Sequence, residues 1–268
     1  MPPGQSEYRY IYGPVPSWRL GSSLGVDPIS AKEKICPFDC VYCQLGRTKE
    51  FSNQRREFVQ TKDVLSEIKM APWSSIDYIT FSGAGEPTLA ENLGAMIKAV
   101  KKIRREKIAV ITNASLMNRG DVQRELSLAD FVLVKLDAAS EVSLQATNRP
   151  MAVTPPINFD SILGGIKGFN SFYMGRLALQ IMFTSLNEKC ATQIAQIAKE
   201  IGPDEIEINT PLRPCGAAPL SEEILSGIEG QFRDICGENI SILNVYGAPK
   251  KKVSPISGPD TLRRRGKV

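Results

Sequence analysis

Cys36, Cys40 and Cys43 fall within the stretch "KEKICPFDCVYCQLGRT", spaced C-x3-C-x2-C, in a chain that contains no histidine. Three thiols crowded into eight residues read as a ligand set. Structural zinc takes four ligands, commonly as two C-x2-C pairs or as cysteines joined by histidines. This sequence offers neither a histidine nor a second C-x2-C pair. A cubane iron–sulfur cluster held through three of its irons matches three thiolates and leaves the fourth iron open, unlike the fully cysteine-ligated arrangement. An incomplete protein shell is also what a catalytic metal centre needs. The spacing favours an iron–sulfur cluster over zinc. The other cysteines are scattered. Cys190 keeps helical register with Ile194, Ile197 and Ile201 and reads as a core thiol, and Cys236 closes a helix beside Gly237. Cys215, in "LRPCGAAP", falls in a loop. With none of the three paired locally, a second cluster would need the fold to gather them.

A loop of this kind has to be held by regular elements. Along the chain, apolar β-type runs alternate with helical patterns, as in α/β proteins. Strands are expected at 22–29, 76–83, 107–115, 130–138, 176–185 and 204–214, and helices at 61–71, 89–105, 119–129, 158–172, 187–202 and 221–237. The second helix is the clearest: Leu89, Leu93, Met96, Val100 and Ile103 recur at alternating spacings of four and three. Gly202 supplies a stop for the fifth. Strands joined by helices run parallel through right-handed crossovers. Six such units give an α/β fold class, a partial (β/α)6 barrel of parallel strands. Ligands then gather at the C-terminal ends of the strands, where the loops collect. The cysteine loop follows the first of these strands.

The composition sets bounds on this picture. Hydrophobic residues make up 42% of 268, enough for a substantial core. The N-terminus "MPPGQSEYRYIYG" has no apolar run of the signal-peptide kind, and no segment approaches the roughly 18 apolar residues of a membrane span. The expectation is a soluble, cytoplasmic protein with no membrane partner, where clustered cysteines mean metal or catalysis rather than disulfides. The net charge of +4 is unevenly spread. Residues 250–268 carry seven Lys or Arg against one Asp, a net +6, which leaves −2 for the rest. The chain therefore divides into a barrel domain over 1–248 and a basic tail over 249–268. Two readings fit the tail: a solvated end, or a contact for a phosphate backbone.

"CPFDCVYC" resembles the C-x3-C-x-aromatic-C signature of the radical S-adenosylmethionine (SAM) enzymes, with Tyr42 in the aromatic place. Further landmarks fall in order over most of the chain. "FSGAGEPTL" is similar to the family's Gly-Gly-Glu segment, and "ITNAS" to its Thr-Asn-Gly segment. The N-terminal "YGPVPSWRLGSSLGVDP" and the overall pattern look like a subgroup related to tRNA wyosine-base synthases. The resemblance implies a radical-SAM-type barrel, a [4Fe-4S] cluster on Cys36, Cys40 and Cys43, and SAM chelated to the open iron through its amino and carboxylate groups. It also implies reductive cleavage of SAM to a 5′-deoxyadenosyl radical, with electrons from a donor such as flavodoxin or ferredoxin. Hydrogen-atom abstraction depends on position more than on a tuned base, so a chain without histidine can carry it.

The same resemblance distributes roles. Gly85 and Glu86 are placed against SAM's methionyl ammonium, since a carboxylate at a strand end suits that group. Asn113 and Ser115 are candidates for the carboxylate or ribose, with simple turn chemistry as the alternative. Lys135 and Asp137 alternate on one face of an apolar strand, where charges must be paired or used. They read as a ribose contact or a structural ion pair. Gln180 and Asn209 project polar groups from strands, and Ile208 and Leu212 are candidates for packing near the adenine. For the substrate, one reading takes tRNA; another takes a peptide, a protein side chain or a small metabolite. A third is no enzyme at all, but an iron–sulfur or zinc protein that senses or scaffolds.

Overall fold

The computed structural model describes residues 8–71, 75–154, 156–249, 252–258 and 261–262. Among them, eight strands form one sheet in sequential order: β1 (Ile11–Ser17), β2 (Gly21–Val26), β3 (Tyr78–Phe81), β4 (Lys107–Thr112), β5 (Phe131–Lys135), β6 (Arg176–Met182), β7 (Glu205–Asn209) and β8 (Ser241–Asn244). From β2 to β8 every pairing is parallel, and β1 alone runs antiparallel, as a hairpin partner of β2. Helices fill the crossovers: α1 (Thr61–Met70), α2 (Leu93–Ile103), α3 (Gly120–Leu126), α4 (Glu141–Thr147), α5 (Phe159–Asn170), α6 (Ala191–Ile201) and α7 (Glu222–Cys236). The sheet curls into a half-barrel whose six βα units run from β2 to α7, as the alternation of patterns predicts.

Two strands and one helix exceed that expectation. β1 carries two prolines in "IYGPVPS", which argues against a strand except at an edge, where this one lies. β8, with four residues, and α4, with seven, are too short to show a period. Ser140 caps α4 by accepting from Ser143 N–H, Asn158 caps α5 from Ser161 N–H, and Ser221 caps α7 from Ile224 N–H.

Strand alternation sorts the side chains into two layers. Val132 and Val134 of β5 and Leu177 and Leu179 of β6 join the large core beneath the helices. Their neighbours Phe131, Leu133 and Ala178 point the other way, into a separate cluster with Leu20 and Ala109 that plugs one end of the barrel. Continuing the inner face toward the strand C-termini gives a polar row, with Lys135 level with Gln180 and Gln180 level with Glu207. Apolar outer face, apolar plug and polar upper lumen together make a cup that opens where the strands end.

After β8 the chain crosses to β1. Ile256 N–H and Ser257 N–H donate to Gly13 O (2.7 and 3.2 Å), Gly13 N–H donates to Ser257 Oγ (2.9 Å), and Ile256 and Leu262 are buried. This part of the tail is docked rather than solvated. Of its cations only exposed Lys252 is described; Lys250, Lys251, Arg263, Arg264, Arg265 and Lys267 lie outside the described residues. No helix among the described residues is long and apolar enough to cross a membrane.

Candidate functional site

The cysteine loop is fastened on both sides. Ile35 N–H donates to Ala84 O (3.0 Å) and Glu86 N–H donates to Ile35 O (3.2 Å), which ties the loop to the Gly-Glu segment after β3. Only glycine fits at 85, because a Cβ there would stand 1.7 Å from Ile35 O. On the other side Asp39 N–H donates to Asn148 O (3.1 Å) and Val41 N–H to Thr147 O (3.0 Å), at the end of α4. Buried Phe38 fixes the middle, and Cys43 N–H closes a turn onto Cys40 O (3.1 Å).

Amide groups reach two of the sulfurs. Asn113 Nδ2 lies 3.4 Å from Cys36 Sγ, and Asn148 Nδ2 lies 3.4 Å from Cys40 Sγ. Burial pushes the Cys36 thiol well above its ordinary value and the Cys40 thiol up to about 11. A thiolate at either place therefore calls for positive charge beside it. One source is Lys34, itself buried. Burial pulls its ammonium down, yet the negative ends of Cys43, Cys36 and Cys40 outweigh that and raise its pKa.

Glu86 organises the neighbouring strand ends. Its Oε1 accepts from Thr88 N–H (3.1 Å), Thr88 Oγ1 (2.7 Å) and Thr112 Oγ1 (2.6 Å), and its Oε2 from Asn113 N–H (2.8 Å). Burial pushes this carboxyl up, against the pull of those donors. Oε2 has room for one more donor. A second network holds Tyr42. Its hydroxyl donates to Asp137 Oδ2, which also accepts from Asn148 Nδ2 (2.9 Å), while Asp137 Oδ1 takes Met182 N–H (2.7 Å) and the Lys135 ammonium (3.1 Å). Lys135 Nζ also stands 4.8 Å from the centre of the Tyr42 ring.

These groups open onto one cavity of about 410 Å³ at the C-terminal ends of the strands. Cys36, Cys40, Tyr42, Cys43, Gly85, Glu86, Asn113, Lys135, Gln180 and Asn209 all line it, as does Leu212. Ser115 and Asp137 do not. Ser115 is buried behind Asn113 with its hydroxyl unpartnered among the described residues, and Asp137 is turned to the Tyr42 network. Ile208 is buried in the outer core. Cys236 lies in that core with its thiol toward Ala195 O, Cys190 packs beside it, and Cys215 sits in the loop after β7 with its thiol on Ala217 O (3.2 Å).

The sequence profile of the Radical SAM superfamily matches residues 34–189, the span from the cysteine loop through β6. The chain belongs to the Radical SAM superfamily. A UPF0026 protein of Synechocystis sp. is 43% identical over 216 residues, which are 80% of this chain and 78% of that protein. A UPF0026 protein of Methanocaldococcus jannaschii is 35% identical, over 85% of this chain and 72% of that one. Streptococcus suis SuiB shares the fold at 13% identity. Bound to precursor peptide SuiA it superposes with a TM-score of 0.64, covering 85% of this chain and 50% of SuiB, and bound to SAM with 0.61, covering 80% and 48%. The chain thus spans about half the length of that solved structure.

Radical SAM proteins use a [4Fe-4S] cluster and SAM, and the residues here suit both. Among the described residues no three His, Cys, Asp or Glu side chains close on one point as a single ion requires. Three thiols spread along one cavity wall suit a cluster that extends to meet each of them. The amide donors at Cys36 and Cys40 and the ammonium of Lys34 are the surroundings that stabilise sulfur-borne negative charge. Sequence reasoning missed Lys34, Asn148 and the cavity residues Tyr12, Trp18, Arg19 and Arg213. Asn148 is 108 positions from Cys40, and no local pattern links the two.

Proposed function

We infer that this Radical SAM chain is an enzyme in which Cys36, Cys40 and Cys43 hold the [4Fe-4S] cluster and the adjoining cavity holds SAM against it. The observation that carries this reading is that the three thiols line the same cavity as Glu86 and Asn113, at the ends of parallel strands. Held by Cys36, Cys40 and Cys43, a reduced cluster would supply the electron for reductive cleavage of SAM, the radical chemistry that would act on a substrate. The chain's own residues do the placing. Glu86 Oε2 receives the methionyl ammonium while its other bonds hold Thr112 and Asn113 in place. Asn113, Gln180 and Asn209 offer hydrogen bonds to the carboxylate and ribose; Lys135 lines the wall beside Tyr42. Ser115 and Asp137 act from behind, supporting Asn113 and Tyr42. The loop after β7 approaches the cysteine loop, with Gly216 against Val41 and Arg213 Nη1 on Gln44 Oε1 (2.9 Å), and narrows the path for water.

For the substrate we favour a nucleotide unit, with tRNA the first candidate, on the likeness of the N-terminal segment to wyosine-base synthases and on the basic tail over 249–268 beside the barrel over 1–248. The setting is the cytoplasm, with flavodoxin or ferredoxin as donor. A peptide substrate is the second reading, favoured by the fold shared with SuiB, which is solved with a precursor peptide. The decisive assay follows 5′-deoxyadenosine made from SAM by anaerobically reconstituted, reduced protein. Cysteine-dependent formation supports the enzyme; reconstituted protein that holds one zinc ion per chain and leaves SAM intact would point to a scaffold or sensor.

A further inference from the structure

The cavity carries more positive charge than SAM can use. Arg19, Lys34, Lys135 and Arg213 line it, against the single carboxylate of Glu86. Lys34 answers the cysteine sulfurs and Lys135 is paired with Asp137 at 3.1 Å. That leaves two guanidinium groups from opposite parts of the chain: Arg19 on the turn between β1 and β2, and Arg213 on the loop after β7.

Arg213 has no acidic partner among the described residues, and Arg19 meets Glu207 only at the long end of an ion pair. Arg213 is exposed at the cavity rim, and its hydrogen-bond partner is the neutral amide of Gln44 (2.9 Å). Arg19 Nη1 stands 3.8 Å from Glu207 Oε2, outside hydrogen-bond reach, and Arg19 Nε and Glu207 Oε1 are both buried without partners among the described residues. Arg19 thus keeps donors that no acid takes up.

SAM does not supply the missing anion. It bears a positive sulfonium, and its one carboxylate is met by Asn113, Gln180 and Asn209 under the function proposed above. Two further guanidinium groups repel it unless they serve another ligand. Trp18 lines the cavity next to Arg19, whose Cζ lies 5.4 Å from its ring centre. An aromatic face beside two arginines fits a base and its phosphate together. A phosphate offers several oxygens to two guanidinium groups, with close to two negative charges in a terminal monoester and one in an RNA phosphodiester.

We propose that Arg19 and Arg213 form the recognition site for the phosphate of a nucleotide substrate, with Trp18 as the stacking face for its base. This rests on the radical SAM reading above, and the two can fail separately: loss of cysteine-dependent SAM cleavage removes that reading, whereas the arginine site is judged by binding. The phosphate belongs to a free nucleotide or to a unit of RNA.

The test is calorimetric titration of the reconstituted, SAM-loaded protein with guanosine, GMP, GTP, bulk tRNA and a glutamate-rich peptide. It is run on wild type, Arg19→Gln and Arg213→Gln. GMP or GTP should bind about ten- to hundredfold more tightly than guanosine, the worth of a charge-assisted contact, and each substitution should erase most of that preference. A preference absent from free nucleotides but present as Arg213-dependent tRNA binding assigns the phosphate to RNA and also supports the site. Arg213 stands on an exposed loop, so Arg213→Gln decides the matter if Arg19→Gln unfolds. The proposal is overturned if neither nucleotides nor tRNA depend on the arginines, if only the acidic peptide does, or if SAM affinity falls by the same factor as nucleotide affinity.

Discussion

Glu86 gives the most detailed prediction, because its four bonds serve the fold and, under the proposed function, its remaining acceptor site serves SAM. In Glu86→Ala, two hydroxyls and two backbone N–H groups lose their acceptor. The hydroxyls of Thr88 and Thr112 can rotate to new partners, but the N–H groups of Thr88 and Asn113 cannot. At roughly 1–3 kcal/mol for each orphaned donor, alanine should destabilise by about 2–6 kcal/mol. Glu86→Gln keeps one acceptor oxygen. However the amide is turned, one backbone N–H faces an NH2 group, a cost of about 1–3 kcal/mol. Thermal unfolding should then fall by roughly 2–4 °C per kcal/mol, alanine about twice as far as glutamine. SAM affinity reads the other role. Replacing carboxylate by amide removes the charge facing the methionyl ammonium, so Glu86→Gln should weaken SAM about ten- to hundredfold while iron content stays at the wild-type level. A folded Glu86→Gln protein that binds SAM as wild type does would refute the ammonium role. An alanine variant as stable as wild type would refute the buried network.

Other expectations follow from the same geometry. In Asn148→Ala the Tyr42–Asp137 pair loses a donor, as does Cys40 Sγ, so stability should drop by about 1–3 kcal/mol and the cluster's reduction potential should move negative; an unchanged potential in redox titration would mean the amide does not act on the sulfur. Burial, against the pull of Arg19 and with the push of Glu205, raises the Glu207 carboxyl to about 8 in the fold, above the ordinary 4.5 of the unfolded chain. The native state thus holds the extra proton in that window, and stability should fall by roughly 1.4 kcal/mol per pH unit as pH rises through it, a slope that Glu207→Gln flattens in denaturant titrations. Neutralising Lys250, Lys251, Arg263, Arg264, Arg265 and Lys267 to Gln should reduce the salt dependence of tRNA binding, with each lost phosphate contact lowering the log–log slope by about 0.7 to 0.9. Truncation at 249 is a poorer probe, because it also removes Ile256 and Ser257, which bond to Gly13 of β1, and buried Leu262.

The βα alternation was readable because β3 and β5 are buried almost throughout and appear as apolar runs, β7 repeats Glu and Ile in strand period, and α2 and α6 keep a strict helical period. The cysteine triad stood out because its three thiols, which line one cavity, fall within eight residues of sequence. What escaped was whatever depends on distant segments meeting. Asn148 joins Cys40 only because Val41 bonds to the end of α4. Arg19 carried no signal in the sequence, and only the β1–β2 hairpin, whose first strand holds two prolines, places it against β7. The charged pair at 135 and 137 was visible as a pattern. Its sorting was not: Lys135 faces the cavity, and Asp137 faces Tyr42.

The central claim is that SAM sits on an open iron of a cluster held by Cys36, Cys40 and Cys43. Electron paramagnetic resonance of the reduced, reconstituted protein, recorded with and without SAM, tests it most directly. The account predicts a [4Fe-4S] signal that SAM perturbs, and no such signal in any of the three Cys→Ala variants. A signal that persists in a variant lacking all three cysteines, or a wild-type signal indifferent to SAM, would contradict it.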